Sequence, residues 1–373
     1  MNVNNLDKIV DSNLRMGNVY CDHQLAAFRE GPDPILSLPE ENIQPASIDI
    51  GIDPHGYTYP LRVMPPITPG LSIANILKLN EGYGRYRNDS CPTLLTNHIY
   101  LIEMEGLIAL KAGMRGYFSP KSTSGRLDLY CAILSEGAPG FDELAPEYAG
   151  KLYMVIIPQG FPIITAPGET FSQLRLYSAE RLSVSGDDLR IIHDSFPLVH
   201  GCEPVFTNKG LLLHLDLTNE DRRVVAASVG RPIDVRKRGY YDPAEYFQTK
   251  RLDPDGYLHL DDREFMLGVT RERVSVPGFL CAVMVPQHEA RGPFRAHNAG
   301  FIDPGYGGSG GEWLTCEIRN LAEFPISFID GQIVALLRFE RLRALPKELY
   351  GQTVSAKEPA HYQNKRVYPK QFI

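Results

Sequence analysis

The sequence predicts an all-β protein built from two copies of one β-domain in tandem. Three observations carry that expectation. Short β-branched or aromatic runs, separated by Gly, Pro, Asn and Asp, fill most of the chain, the pattern of short strands joined by turns. The 33 glycines and 29 prolines among 373 residues supply many turns, which suit short strands better than long helices. The same runs also recur in the same order at a spacing near half the chain.

Helical signals are few. Asp22 is placed to cap a short helix through HQLAAFRE that Gly31 would stop. Asp242-Pro243-Ala244-Glu245 reads as a capping box with proline at the first helical position. The segment HIYLIEMEGLIALKAGMRGYF (98–118) is echoed by EFMLGVTRERVSVPGFLCAVM (264–284). The run 151–178 is echoed by 313–342: strand, turn with a Pro-Ile pair, strand, Gly turn, strand. The boundary is expected in the small, polar stretch Ser183–Asp188, giving domains 1–185 and 186–373. A chain of 373 residues suits two domains of ordinary size.

With 43% apolar and 22% charged residues the composition is that of a soluble globular protein. A net charge of −7 argues against nucleic acid as a partner, yet allows one nucleotide held by a local Lys/Arg cluster with a divalent cation. The six cysteines are scattered without a Cys-x-x-Cys or a Cys/His cluster at ligand spacing. Reduced thiols, no zinc and a cytoplasmic location are the corresponding expectations. No stretch reaches about 18 apolar residues and the N-terminus has no cationic start before an apolar run, so no membrane partner is expected.

Four segments carry a resemblance to a known family. Ile43–Ile50 (IQPASIDI) looks like a family first strand, and Ser119–Leu127 (SPKSTSGRL) resembles a nucleotide loop commonly written R-S-S-x-x-R-x-G. Asn298–Tyr306 (NAGFIDPGY) is similar to A-G-x-I-D-P-G-[FWY]; from Leu314 to Leu342 the order L-x-x-E-x-x-N, P-I, Gly turn, strand continues without a gap. Together these resemble the dCTP deaminase and dUTPase family. The resemblance implies that each half is a distorted β-barrel of the dUTPase type (a β-clip). Single-domain relatives form trimers with active sites across neighbouring subunits. It therefore implies dCTP or dUTP as ligand, Mg²⁺ carried with the triphosphate, and a homo-oligomer with sites at domain interfaces.

The two halves read as complementary. The first carries the loop Lys121–Arg126, but Val155 stands where the acidic residue belongs. The second carries Asp303 and Glu317, but its loop, 285–291, has no serine. A working site would need both.

In Trp313–Arg319 the alternation puts Trp313, Thr315, Glu317 and Arg319 on one face. On that run alone Glu317 is an exposed strand glutamate; the upstream motif reverses this, and Glu317 is expected to be the general base and acid. Deamination needs water added at C4 and protons delivered to N3 and to the departing amine. One carboxylate can shuttle all of them if burial raises its pKa. The loop alone is a polar turn; by the resemblance, Ser122 and Arg126 orient water and base while Lys121 and Thr123 serve phosphate. Asp303 is a sugar contact on the same ground, and Tyr306 a substrate contact. Tyr362 matches the tyrosine of a C-terminal arm, although His361 and Lys365 replace its lysine and glutamine, and a disordered tail is the alternative. Gly307–Gly311 lengthens the link from Asp303 to Glu317, as a longer hairpin or as a displacement of the base. The leading function is zinc-independent deamination of dCTP to dUTP for thymidylate supply. The alternatives are dUTP hydrolysis, coupled conversion of dCTP to dUMP, and a non-catalytic nucleotide sensor.

Overall fold

The structure, a computed structural model, describes residues 17–30, 34–66, 72–227, 230–286, 292–296, 300–351 and 367–373. Strands dominate it. The first half runs through β1 (Ile48–Gly51), β2 (Tyr57–Leu61), β3 (Ile99–Glu103), β4 (Arg115–Pro120), β5 (Leu129–Ser135), β6 (Leu152–Pro158) and β7 (Thr170–Tyr177). The second continues with β8 (Gly210–Asp216), β9 (Val224–Ala226), β10 (Phe265–Val274), β11 (Leu280–Pro286), β12 (Phe294–Ala296), β13 (Glu312–Asn320) and β14 (Ile333–Arg341).

Pairing makes the repeat concrete. In the first half β7 lies between β1 and β4, and β2, β3, β6 and β5 follow one another in a second sheet. In the second half β14 lies between β8 and β11, while β9, β10, β13 and β12 adjoin in that order, all antiparallel. Each strand therefore has a counterpart seven strands later. The registers agree as well. Leu174 faces Phe118 as Leu337 faces Met284, and Val155 faces Leu101 as Glu317 faces Leu267. A register slip of one residue would turn every side chain to the other face, so this agreement fixes which residues are equivalent.

The halves share a core. Phe161 and Ile163 of the first half pack in one cluster with Phe247, Phe265 and Phe372 of the second. The short strand Ile163–Ile164 pairs in parallel with Ile233–Asp234. Val19 bridges to both Tyr177 and Leu342, so the N-terminal segment is laced between the halves.

Helices are short, as expected, but not all where expected. They are α1 (Asp22–Ala27), α2 (Ile73–Leu79), α3 (Ser122–Arg126) and α4 (Gly186–Ser195). Cys21, not Asp22, occupies the N-cap of α1. Asp22 sits inside the first turn, where negative charge favours the helix dipole, and its carboxylate accepts the N–H groups of Lys347 and Glu348. Pro243–Glu245 is a single 3₁₀ turn, with the Asp242 carboxylate accepting the Ala244 N–H. The stretch 183–188, read as a connection, runs straight into α4: the Ser185 hydroxyl accepts the Asp188 N–H, and Leu189 and Ile192 are buried.

The last seven residues return to the seam between the halves. Phe372 is fully buried among the rings of Tyr241, Tyr246, Phe247 and Tyr368. Phe372→Ala is expected to cost about 3–5 kcal/mol of stability. Urea unfolding measures it, and a loss below about 1 kcal/mol would show that the tail adds little to the shared core.

Candidate active site

The nucleotide-loop residues form α3 at the end of β4. Ser122 and Arg126 are four apart, which sets them on one face of this single turn. Ser124 is buried and its hydroxyl donates to the Phe171 carbonyl at 2.8 Å, pinning α3 against β7. Ser122 is exposed and Thr123 half-buried. The Lys121 ammonium is paired with Asp49 and donates to the Thr170 hydroxyl at 3.1 Å, so it is held by the chain's own groups rather than set aside for phosphate.

Glu317 comes from β13 of the other half. It is 1% exposed, and neither carboxylate oxygen has a hydrogen-bond partner among the described residues. Burial pushes its pKa up to about 8; the Arg126 guanidinium, reaching across from α3, pulls the other way. One chain thus brings Arg126 and Glu317 within electrostatic reach of each other. The glycine-rich link does not displace the glutamate, because Glu317 keeps the register that Val155 has in β6. Glycine is required there: a Cβ on Gly307, at φ +76°, would lie 2.0 Å from the Val274 carbonyl oxygen. The link folds down onto the end of β10.

Asp303 also meets the first half. Its carboxylate accepts the Ala46 N–H at 3.2 Å, within the Ile43–Ile50 segment. Burial and the neighbouring Asp49 charge raise its pKa to about 7, against Lys121 and Arg175. The Tyr306 hydroxyl donates to the Trp313 carbonyl at 3.0 Å, bracing the turn that leads into β13. Tyr362 lies outside the described residues.

The strand registers extend the complementarity seen in the sequence. Tyr117 bridges Glu143 where Val283 pairs with Phe301, which places Ala145 at the position of Asp303. The first half thus has Ala145 and Val155 where the second has Asp303 and Glu317.

Sequence reasoning missed one pair. Asp128, fully buried, receives both Nε and Nη2 of Arg319, the Nε at 3.1 Å. Asp128 has φ +54° and stands where the loop pattern R-S-S-x-x-R-x-G ends in glycine. An aspartate in a glycine's backbone position, with an arginine on the Glu317 face of β13, is the signal that could have revealed it.

Cys21, Asp22 and His23 bring their donor atoms within 4.8 Å of one another at the start of α1. Burial raises the Cys21 thiol to about 11, and the Asp22 carboxylate is occupied by backbone N–H groups. All six cysteines are free.

Two family models match the chain: 2′-deoxycytidine 5′-triphosphate deaminase (DCD), N-terminal domain, over residues 30–180, and the C-terminal domain of the same family over 185–372. The chain belongs to the dCTP deaminase family. The crystal structure of 2′-deoxycytidine 5′-triphosphate deaminase from Agrobacterium tumefaciens superimposes with a TM-score of 0.82 at 29% identity, over 91% of this chain and all of that one. A dUMP-forming dCTP deaminase of Beutenbergia cavernae is 32% identical over 142 residues, 36% of this chain and 70% of its own length. A dCTP deaminase of Halorubrum lacusprofundi is 32% identical over 109 residues, 29% of this chain and 52% of its own. Among the described residues no helix is long and apolar enough to cross a membrane. The all-β, dUTPase-like fold expected from the sequence is the fold of this deaminase family.

The raised pKa of Glu317 has a stability consequence. The folded protein holds the proton up to about pH 8, whereas the unfolded chain releases it near the ordinary value of 4.5. Stability is therefore fully present below about pH 4.5 and is lost progressively as pH rises to 8. Glu317→Gln keeps the neutral form at every pH. It is expected to match the parent near pH 4.5 and exceed it by on the order of 3–5 kcal/mol above pH 8. Melting curves across that range measure the difference; a gap that does not widen with pH would contradict the assignment.

Proposed function

We propose that this chain binds dCTP, with its Mg²⁺, at the seam between its halves and hydrolyses the C4–amine bond, giving dUTP and ammonia. The observation that carries the reading is Glu317: a buried carboxylate whose oxygens have no side-chain hydrogen-bond partner among the described residues, facing Arg126 from the other half, in a member of the dCTP deaminase family. Its pKa near 8 lets it exchange protons at neutral pH, as a shuttling group must.

The chemistry follows from that placement. The Glu317 carboxylate takes a proton from water as the oxygen bonds to C4, and passes it to N3. It then takes the proton of the new hydroxyl and gives it to the amine; the C4–N bond breaks, ammonia leaves and C4 becomes a carbonyl. Ser122, on the same face of α3 as Arg126, orients the water. Arg126 directs fixed positive charge at the base and at Glu317. Asp303, beside Ala46 and Asp49, holds the sugar, and Thr123 flanks the phosphate path, while Lys121 stays paired with Asp49. Glu317 activates the water, so the reaction calls on no zinc.

A second reading rests on two observations: the relatives named dUMP-forming and the placement of Asp303 at the seam. In it, Asp303 also positions a water for the α-phosphate, and dCTP yields dUMP and pyrophosphate. A non-catalytic sensor is the third outcome.

One assay separates them. The protein, freed of zinc by chelation and resupplied with Mg²⁺, is given dCTP, and dUTP, dUMP and pyrophosphate are resolved. Deamination is expected to persist, and Glu317→Gln is expected to bind dCTP but lose about 10²–10⁴-fold in kcat. Activity that only zinc restores, or near-normal turnover by Glu317→Gln, would overturn the mechanism. Binding without turnover in the parent would leave the sensor.

A further inference from the structure

We infer that the Asp128–Arg319 ion pair is a positioning clamp for deamination, holding Glu317 at its working distance from Arg126. The inference rests on the functional reading above.

The geometry is specific. Asp128 follows Arg126 by two residues at the end of α3, and Arg319 follows Glu317 by two residues along β13. A strand repeats every two residues, so Glu317 and Arg319 point to the same side, about 7 Å apart. The reactive pair and the ion pair thus bridge the same two elements side by side. Fixing one fixes the separation of the other.

The clamp is rigid at both ends. Arg319 presents its guanidinium fork to both Asp128 oxygens and donates a further Nη1 bond to the Arg263 carbonyl at 2.5 Å. Such a two-pronged contact sets direction as well as distance. Asp128 has φ +54°, a conformation that costs an ordinary side chain energy and that glycine would adopt freely. This chain accepts that cost to put a carboxylate there. The neighbouring guanidinium, Arg295, lies in register beside Arg319, stacks over Tyr130 at 5.2 Å and adds its positive charge to that acting on Asp128.

A clamp and a mere structural tie predict different kinetics. Asp128→Asn strands the Arg319 charge in the seam and is expected to lower both melting temperature and kcat. A misplacement of about 1 Å between reacting groups costs roughly 10²-fold in rate. KM for Mg·dCTP should move far less, since neither residue is placed against the nucleotide. Asp128→Gly/Arg319→Met removes both charges and relieves the backbone, so the melting temperature should recover while kcat stays low. Arg319→Lys, which keeps charge but not the fork, should fold and show an intermediate kcat. If kcat recovers together with melting temperature in the double variant, or if the folded variants turn over within twofold of the parent, the clamp is wrong. Failure of the functional reading is visible separately, as an unaltered protein that does not turn over dCTP. The inference then falls with it.

Discussion

The ion pair between Asp128 and Arg319 joins the element that carries Arg126 to the strand that carries Glu317. Neither half holds all of the groups that the proposed mechanism uses. The first half offers α3 but has Ala145 and Val155 where the second has Asp303 and Glu317. The proposed mechanism therefore depends on how the halves are packed. Three kinds of contact fix that packing. The shared core through Phe161, Phe247 and Phe372 supplies the apolar burial. The Ala46–Asp303 bond and the Asp128–Arg319 pair supply direction. A buried ion pair adds little net stability compared with apolar residues of the same size, but losing one partner costs about 3–5 kcal/mol. Its value here lies in geometry.

Two buried glutamates differ in how the fold satisfies their charge. Glu340, at the seam on β14, is fully buried, and burial alone would raise its pKa. Arg175 and Arg181 outweigh that, and the Tyr177 hydroxyl donates to it at 2.6 Å, so Glu340 is held below its ordinary value. Its charge is satisfied and inert. Glu317 is equally buried, yet among the described residues no other side chain donates to its oxygens, and its pKa rises to about 8. A charge left without partners in a protein interior is unfavourable by several kcal/mol, so a fold keeps such a group where function needs it.

Much of this was legible in the sequence, and what was not has identifiable causes. The period-2 alternation and the repeated order of runs specify the strands, because side-chain direction along a strand is fixed by position. The complementarity of Val155 and Glu317 follows from the same register. The ion pair was harder to read: Asp128 and Arg319 are 191 positions apart, and the one local mark is an aspartate where the loop pattern has glycine. For Tyr306 the motif gives a residue type but not the direction of its hydroxyl, which serves the Trp313 carbonyl. The α4 helix was missed because its first residues, Ser-Gly-Asp-Asp, suit a linker as well as an N-cap and first turn.

The most direct test of the account is whether one chain makes a whole site. Ser122→Ala and Glu317→Gln proteins, each inactive alone, are mixed, unfolded and refolded together, and dCTP turnover is measured. With Arg126 facing Glu317 inside one chain, every site in the mixture carries one lesion, and no activity should return. Recovery of activity would mean that α3 of one chain serves β13 of another, and would contradict the central claim.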